Sequence, residues 1–167
     1  MNKPHGKLNQ DQISGYFRAN VGILIINDQG LLLAVEREEK LGSWQLPQGG
    51  IDQGEDEEDA ALREMREELG FDEMDTKNLL RPLGESGWFA YQLPKSNWSE
   101  KHGRGQTQKF FAYQFIGQDS QLDEKFADSE EFRDWKWMRI TDLIAVAWDI
   151  RKPVYEAVGS AFASFLS

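Results

Sequence analysis

Cysteine is absent from this chain of 167 residues, and histidine occurs only as His5 and His102. The lack of cysteine excludes disulfides, thiolate catalysis and zinc sites with sulfur ligands. Two isolated histidines are too few for a metal centre built from imidazoles. No apolar run approaches the roughly 20 residues of a membrane helix, and the first residues lack the apolar stretch of a secretory signal. A cytoplasmic protein without a membrane partner is therefore expected.

Positive charge is also scarce, since 19 Lys and Arg against 29 Asp and Glu give a formal net charge of −10. Binding along an extended nucleic-acid backbone is not expected of such a chain. A few local cations can still recognise a nucleotide or one nucleic-acid end. An acidic protein that handles polyphosphates is expected to neutralise its carboxylates with a divalent metal. The length and the 40% hydrophobic content indicate one globular domain.

Apolar segments and turn residues predict strands on both sides of one central helix. Residues 1–14 are polar and aperiodic, which predicts a flexible tail before a single domain over residues 15–167. The strands are expected at 21–26, 31–35, 44–47, 79–83, 88–93, 109–116 and 135–138. The segments 94–105 and 117–130 are expected to be loops. This order of elements is typical of a single α/β domain.

The central helix is predicted from about Asp56 to Leu69, with Gly70 as its natural stop. Thr141 and Asp142 are expected to cap a short helix, and a longer one is expected from Pro153 to Leu166.

Three glutamates of the central helix, Glu64, Glu67 and Glu68, stand at positions i, i+3 and i+4 and project from one face. The common explanation of such a run is a solvated acidic surface. The alternative is a shared divalent cation, because Mg²⁺ prefers oxygen ligands and is often held between carboxylates and phosphates. The helical spacing alone leaves both readings open.

Residues around these glutamates also suit a phosphate site. Gly49 and Gly50 permit a tight loop whose backbone can approach phosphate oxygens. Glu55 stands at the helix entrance, where a carboxylate can accept backbone N–H bonds. Arg63 precedes Glu67 by four residues and could orient a glutamate through a charge-assisted bond, or equally form an ordinary surface ion pair.

The spacing of Gly49, Glu55, Arg63-Glu64, Glu67-Glu68 and Gly70 resembles the Nudix box at every fixed position. Over roughly residues 16–165 the chain resembles the Nudix branch of bacterial RNA pyrophosphohydrolases and plant-type dinucleoside polyphosphate hydrolases. The segments that carry this wider resemblance are Arg18-Ala19-Asn20-Val21-Gly22, Trp44 to Gly50, Trp88 with Tyr91 and Pro94, Gly105 to Phe111, Glu131 to Trp137, and Arg151 to Tyr155.

The resemblance implies a Nudix fold, in which a mixed β-sheet is sandwiched between α-helices. It also implies that Glu64, Glu67 and Glu68 hold Mg²⁺, with Mn²⁺ as a substitute, and that Arg63 belongs to the catalytic group. Glu131 is expected to add a metal ligand or a base from the opposite side. Because Glu130 is its neighbour, the register of Glu131 stays open by one residue.

The residues that the resemblance assigns to substrate binding are Arg18, Arg37, Gly49, Gly50, Tyr91, Gln106, Lys109 and Arg151. Three features depart from the branch. Ala19 replaces the usual proline, Arg151-Lys152 inverts the usual Lys-Arg order, and the loop at 96–104 is longer than in the shortest bacterial members. His102, within that loop, is expected to be an ordinary loop residue.

The resemblance therefore implies a Mg²⁺-dependent pyrophosphohydrolase that cleaves a phosphoanhydride bond with metal-activated water. The 5′-triphosphate or diphosphate end of RNA is the first substrate expected, and asymmetric cleavage of diadenosine tetraphosphate is the alternative. A catalytically silent Nudix module that senses nucleotides is an alternative of another class, although the complete glutamate trio opposes it. The sequence leaves open whether Glu68 or Glu131 is the general base, and it gives no oligomeric state.

Overall fold

The computed structural model describes residues 15–167, so the predicted tail at 1–14 lies outside the described residues. Within this range the strands are β1 (Phe17–Ile26), β2 (Leu32–Arg37), β3 (Trp44–Gln45), β4 (Gln48–Gly50), β5 (Leu80–Gln92), β6 (Gly105–Phe115) and β7 (Phe132–Met138). The helices are α1 (Glu57–Leu69), α2 (Glu73–Leu79), α3 (Asp119–Phe126), α4 (Ile140–Val146) and α5 (Lys152–Ala161), and short 3₁₀ turns lie at Lys95–Asn97 and Asp149–Arg151.

The described strands form one mixed sheet. Its main order is β3-β2-β1-β6-β5, while β4 pairs with β1 and β7 pairs with β2. The β1–β6 pair is parallel and the other pairs are antiparallel. Because β1 has β4 on one side and β6 on the other, Asn20 lies opposite both Gly50 and Gln108. This register brings the glycine loop, β1 and β6 together.

Helices cover both faces of the sheet, which confirms the α/β class and the helix-sheet-helix sandwich. Alternate residues of β1 serve the two faces, as the period of a strand requires. Ile23 and Ile25 pack with Met65 of α1 in one buried cluster. Leu24 packs with Tyr155 of α5 in the other. Within residues 15–167, no helix has both the length and the apolar character to span a lipid bilayer.

Local chemistry sets both ends of α1, as the sequence predicts. The Asp56 carboxylate accepts hydrogen bonds from the backbone N–H groups of Glu58 and Asp59, at 3.1 and 3.4 Å. Gly70 ends the helix with a φ of 71°, a left-handed conformation that glycine adopts without steric cost. Between these caps, Ala61, Met65 and other apolar side chains face the sheet, so the glutamates are held in a fixed orientation.

The prediction of separate strands at 79–83 and 88–93 is wrong, because β5 is continuous from Leu80 to Gln92. Its register with β6 shifts between Pro82 and Gly84, and again between Glu85 and Trp88. Such irregularities bend a strand without ending it. The turn-like residues within the segment therefore mark bulges.

The segment 117–130, which the sequence predicts to be a loop, contains α3. Leu122 and Phe126 stand four residues apart on this helix and are buried against the α1 side of the sheet. Two other predicted boundaries also differ. The helix α4 starts at Ile140 with Arg139 as its N-cap, so Thr141 lies inside the first turn. The last helix ends at Ala161, and not at Leu166.

Candidate active site

A cleft of about 710 Å³ opens where β1, β4, α1 and the start of α5 meet. Most of the residues that the sequence nominates for catalysis or binding line it, namely Arg18, Arg37, Gly49, Gly50, Glu64, Glu68, Gln106, Glu131 and Arg151. These residues come from seven separate parts of the chain. The cleft combines cationic side chains with carboxylates, an arrangement that suits a metal-neutralised phosphate chain.

A network of amides fixes part of the cleft wall. Gln108 is fully buried, and its amide N–H₂ donates to Asn20 Oδ1 and Gln48 Oε1, both at 2.9 Å. The Tyr91 hydroxyl donates to Gln106 Oε1 at 2.6 Å. This bond leaves the amide N–H₂ of Gln106 as a donor of defined orientation. Tyr91 therefore supports the cleft by orienting Gln106, whereas its own side chain lies outside the lining.

Two glycines allow side chains to lie directly against the backbone of the loop. A Cβ atom at Gly49 would overlap the carboxyl carbon of Glu64, and one at Gly50 would overlap the guanidinium of Arg18. Glu64 is only 6% exposed. Burial raises the pKa of its carboxyl group, the hydrogen bond from Arg63 opposes this rise, and the charges of Glu67 and Glu131 add to it.

Replacing Gly49 by alanine is expected to displace Glu64, because its methyl group and the carboxyl group cannot occupy the same space. We expect kcat to fall by about 100-fold, the scale of effects that misplacement of about 1 Å produces in active sites. Steady-state kinetics with a short RNA that carries a 5′-triphosphate would measure this effect. Gly54→Ala is not a matched control, since Gly54 has a φ of 79°. Gly87→Ala is suitable, as a Cβ there meets no atom within 4 Å; equal effects of both changes would contradict the proposed clash.

Arg63 ties the helix to the glycine loop and to three glutamates. Its Nε and Nη2 donate to the two carboxylate oxygens of Glu55, at 2.8 and 2.9 Å. Nη2 also donates to the carbonyl oxygen of Gly50 at 2.7 Å. Nη1 donates to Glu64 at 2.9 Å and to Glu67 at 3.1 Å. Arg63 is therefore the central cation of the box, beyond the role of a simple surface ion pair.

The Glu55–Arg63 pair gives a pH-dependent contribution to folding. The hydrogen bond from Arg63 is the largest cause that lowers the pKa of the Glu55 carboxyl from 4.5 to about 2. A pKa depressed in the folded state means that this stabilisation is complete above the unfolded pKa and is lost as pH falls from about 4.5 towards 2. The urea midpoint of Glu55→Gln should therefore differ most from wild type near about pH 6 and less near about pH 3.

The Arg63→Ala background supplies the control for this pH effect. With the guanidinium gone, the difference in urea midpoint between glutamate and glutamine at position 55 should vary much less over that pH window, since only the backbone N–H of Asp52 still donates to Glu55. A pH dependence that is undiminished in this background would assign the effect to another group.

The glutamate trio does not form a ready-made metal cage. Among residues 15–167, no three carboxylate or imidazole groups lie close enough together to enclose a cation. Arg63 lies between Glu64 and Glu67, and the Glu67 side chain is 52% exposed. Glu67 lines a neighbouring groove, which Glu68 and Glu131 share with the cleft. The helical spacing is as predicted, but the guanidinium keeps the carboxylates apart.

Two observations nevertheless fit a cation at this position. Glu68 Oε2 is buried and has no hydrogen-bond partner, so one carboxylate oxygen is available as a ligand. Glu131 faces the same cleft and accepts an ion-pair contact from Arg37 Nη2 at 3.0 Å. Carboxylate oxygens are the ligands that Mg²⁺ prefers. The donor set of Glu64, Glu67, Glu68 and Glu131 thus suits a hard divalent ion.

Lys109, which the sequence nominates for substrate binding, lies apart from the cleft. On β6 it stands an odd number of residues from Gln106, so the two side chains point to opposite faces of the sheet. Its Nζ approaches Glu85 at 3.5 Å and lies over the ring of Phe111. The period of the strand is a signal that could have separated Lys109 from Gln106.

Several cleft residues were missed by the sequence reasoning. Gln48 directly precedes the recognised Gly49. Gln45 accepts a hydrogen bond from Arg151 Nη1 at 2.8 Å. The others that the sequence did not nominate include Lys40, Lys101, His102 and Trp148. Lys40 and Trp148 pack together, with Nζ 4.8 Å from the ring centroid. They come from connecting segments, where no periodic pattern points to the cleft.

Comparison with known proteins agrees with this geometry. The family model described as NUDIX domain matches residues 16–158. An RNA pyrophosphohydrolase of Rhodospirillum rubrum is 42% identical over 153 residues, which cover 89% of this chain and 88% of that protein. An RNA pyrophosphohydrolase of Wolbachia pipientis is 36% identical over 154 residues, 90% of this chain and 91% of that protein.

Among solved structures, a C. elegans Ap4A hydrolase aligns with a TM-score of 0.60 at 19% identity, covering 88% of this chain and 98% of that one. At this identity the structural likeness supports the fold alone. The family match extends over most of the chain, and the box residues lie around the cleft as described. The chain therefore belongs to the NUDIX domain family.

Proposed function

We propose that this Nudix hydrolase cleaves a phosphoanhydride bond at the triphosphorylated or diphosphorylated 5′ end of RNA. The observation that carries the proposal is the convergence of Arg18, Gln106 and Arg151 with Glu64 and Glu68 in one cleft. Relatives that match about nine-tenths of the chain are named RNA pyrophosphohydrolases. A cytoplasmic location is part of this proposal, because the enzyme must meet the 5′ ends of RNA.

The local charge of the cleft fits one RNA end despite the net charge of −10. Five cationic side chains line it: Arg18, Arg37, Lys40, Lys101 and Arg151. Neutralising one phosphate chain requires only such a cluster, whereas binding along a duplex requires contacts over many phosphates. Arg151 Nε is buried and has no partner, so a donor is available to a phosphate oxygen. We therefore propose that the cleft recognises the 5′ end of the RNA strand.

Members of the family generally need a divalent metal, and we propose Mg²⁺, with Mn²⁺ as a substitute. When bound, such an ion supplies positive charge to the phosphates and lowers the pKa of water. Glu64, Glu67, Glu68 and Glu131 would hold it. Arg63 orients Glu64 and Glu67 through its Nη1 group. Gly49 leaves room for the Glu64 carboxyl group.

Of the two general-base candidates, Glu68 is favoured. Its Oε2 atom has no hydrogen-bond partner and can accept a proton from an attacking water. Glu131 Oε1 already contacts the guanidinium of Arg37 at 3.0 Å, so this oxygen is engaged by another side chain. Arg18, Gln106 and Arg151 would donate to the phosphate oxygens and hold the chain in line for attack.

A second substrate, diadenosine tetraphosphate, is supported by one specific observation. Trp148 lines the cleft, and its ring is contacted by Lys40 and lies 5.9 Å from the Arg151 guanidinium. An aromatic wall beside cations can take a nucleobase next to a phosphate chain. A nucleoside at either end of the chain would satisfy this arrangement.

The decisive experiment compares kcat/KM on a short RNA with a 5′-triphosphate and on diadenosine tetraphosphate, each with added Mg²⁺. The same RNA with a 5′-monophosphate is the control, since it lacks the anhydride. We expect pyrophosphate or phosphate release from the triphosphorylated RNA and the higher kcat/KM on it. A higher kcat/KM on the dinucleotide would reverse the order of substrates. If a Mg²⁺ titration yields no pyrophosphate or phosphate from the RNA and no ATP and AMP from the dinucleotide, the proposed reaction is overturned. Product analysis in ¹⁸O-labelled water identifies the phosphorus attacked.

A further inference from the structure

The end of the 94–105 connection is held firmly against the first residues of β1. Ser99 and Gly103 exchange backbone hydrogen bonds of 2.7 and 3.3 Å, and Arg104 N–H donates to the Tyr16 carbonyl at 2.8 Å. Gly103 has a φ of 57°, and a Cβ there would overlap the Tyr16 carbonyl oxygen. The turn at 99–103 therefore has a fixed position beside the cleft.

This turn presents the His102 side chain to the cleft. The backbone N–H of His102 donates to Ser99 Oγ at 3.1 Å, so the main chain positions the residue. Its imidazole lines the cleft together with Arg18, Lys101 and Gln106. The Nδ1 atom is buried and has no hydrogen-bond partner. Leaving a buried polar atom unpaired costs about 1–3 kcal/mol, so such an atom needs an explanation.

We propose that His102 binds a phosphate oxygen of the substrate's polyphosphate chain through Nδ1, between Arg18 and Lys101. The inference rests on the proposed function, because it names a further binding residue of the same cleft. A phosphate oxygen would satisfy the unpaired nitrogen and neutralise both neighbouring cations at once. The imidazole does not hold the turn, since the bonds that fix the turn are made by the main chain and Ser99. This role differs from the ordinary loop position that the sequence predicts.

The electrostatic environment agrees with this role. Burial is the main cause that lowers the pKa of the His102 imidazole, and the positive charges of Arg18 and Lys101 lower it further. Two cations beside a partly buried imidazole form a site that favours an anion. When a polyphosphate binds, its negative charge should raise the His102 pKa and favour the doubly protonated ring, which donates from both nitrogens.

The kinetic test uses His102→Ala, with His102→Asn as the conservative variant, because the asparagine amide can place a donor near the Nδ1 position. Loss of a hydrogen bond to a charged group should raise KM about tenfold for His102→Ala, with kcat within about twofold. His102→Asn should remain within about threefold of the wild-type KM. Asn97→Ala, an exposed change in the same connection, is the control. Unchanged KM in His102→Ala, or an equal loss in Asn97→Ala, would overturn the assignment.

The KM values for two substrates show whether His102 contacts the phosphate chain of RNA, of a dinucleotide, or of both. A rise in KM for both triphosphorylated RNA and diadenosine tetraphosphate places His102 on the shared polyphosphate. A rise for neither substrate contradicts the proposal, as does a fall in kcat alone, which would point to a structural effect on the cleft. If the wild type hydrolyses neither substrate, the proposed function fails and the kinetic arm is replaced by direct binding.

Direct binding needs no turnover and uses inorganic tripolyphosphate as the probe. The chain has two histidines, so His5→Ala leaves His102 as its single imidazole and assigns its NMR signals. The His102 pKa should lie below the ordinary 6.5 in the free protein and rise above it when tripolyphosphate saturates the cleft. Inorganic sulfate at equal ionic strength controls for screening. A His102 pKa that tripolyphosphate leaves unchanged would overturn the inference even if RNA hydrolysis is confirmed.

Discussion

Replacing Glu68 by glutamine is expected to lower the metal-dependent kcat by about 100- to 1,000-fold, the usual contribution of a general base or a metal carboxylate. The same change should leave the melting temperature equal to or above that of wild type. Glu68 Oε2 is buried without a hydrogen-bond partner, so the charged carboxylate is costly in the folded state. A neutral amide removes this cost while it removes the negative charge that the reaction requires.

Steady-state kinetics and thermal unfolding of the same preparations would test this combination. Glu58→Gln is the matched control, because Glu58 is an exposed glutamate of α1 outside the cleft. Turnover of Glu68→Gln within about tenfold of wild type would show that the metal or base role is wrong. A larger loss in Glu131→Gln than in Glu68→Gln would transfer the role of base to Glu131.

Arg63→Ala should lower both stability and activity. The guanidinium is 18% exposed and bonds to Glu55, Glu64, Glu67 and the Gly50 carbonyl. Removing one partner of a largely buried ion pair typically costs about 3–5 kcal/mol, since the other charges lose their compensation. We expect a loss of about 3 kcal/mol in the free energy of unfolding, since Glu67 is solvated. Because Glu64 and the glycine loop lose their anchor, kcat should fall by about 100-fold.

Urea denaturation and steady-state kinetics measure the two effects of Arg63→Ala separately. Arg66→Ala is the matched control, since Arg66 is an exposed arginine on the next turn of the same helix. Arg63→Lys should recover only part of the stability, because one ammonium group cannot form the bidentate bond to Glu55. Equal stability of the Arg63→Ala and Arg66→Ala variants would reduce Arg63 to a surface charge.

Arg63 stabilises the Nudix box before any metal binds. Arg63 neutralises Glu64 and Glu67, while Glu68 keeps a free oxygen. Like charges one helical turn apart destabilise a helix unless they are compensated. The protein's own cation supplies part of that compensation, and a divalent ion would supply the rest. The box thus explains how an acidic protein can hold its carboxylates close to phosphate.

Much of the fold and the family could be predicted because their signals are local. Asp56 and Gly70 mark the ends of α1, and the apolar face of the helix repeats at helical spacing. The continuous apolar run at 21–26 predicts that β1 is buried on both faces. The loop prediction for residues 117–130 was wrong because the many acidic residues there mask the helical spacing of Leu122 and Phe126. The burial of these two residues depends on the sheet beside them. The prediction of two short strands in place of β5 was wrong because bulges and turns contain the same types of residue.

The amino-acid sequence by itself determined the box, because the period of a helix fixes which side chains are neighbours within α1. Only the tertiary structure decided which distant residues join it. Gln108 meets Asn20 across 88 positions of the chain, and Arg151 meets Gln45 across 106. The same folding brought His102 beside Arg18. Such contacts depend on strand pairing and packing between distant segments, and no local spacing encodes them.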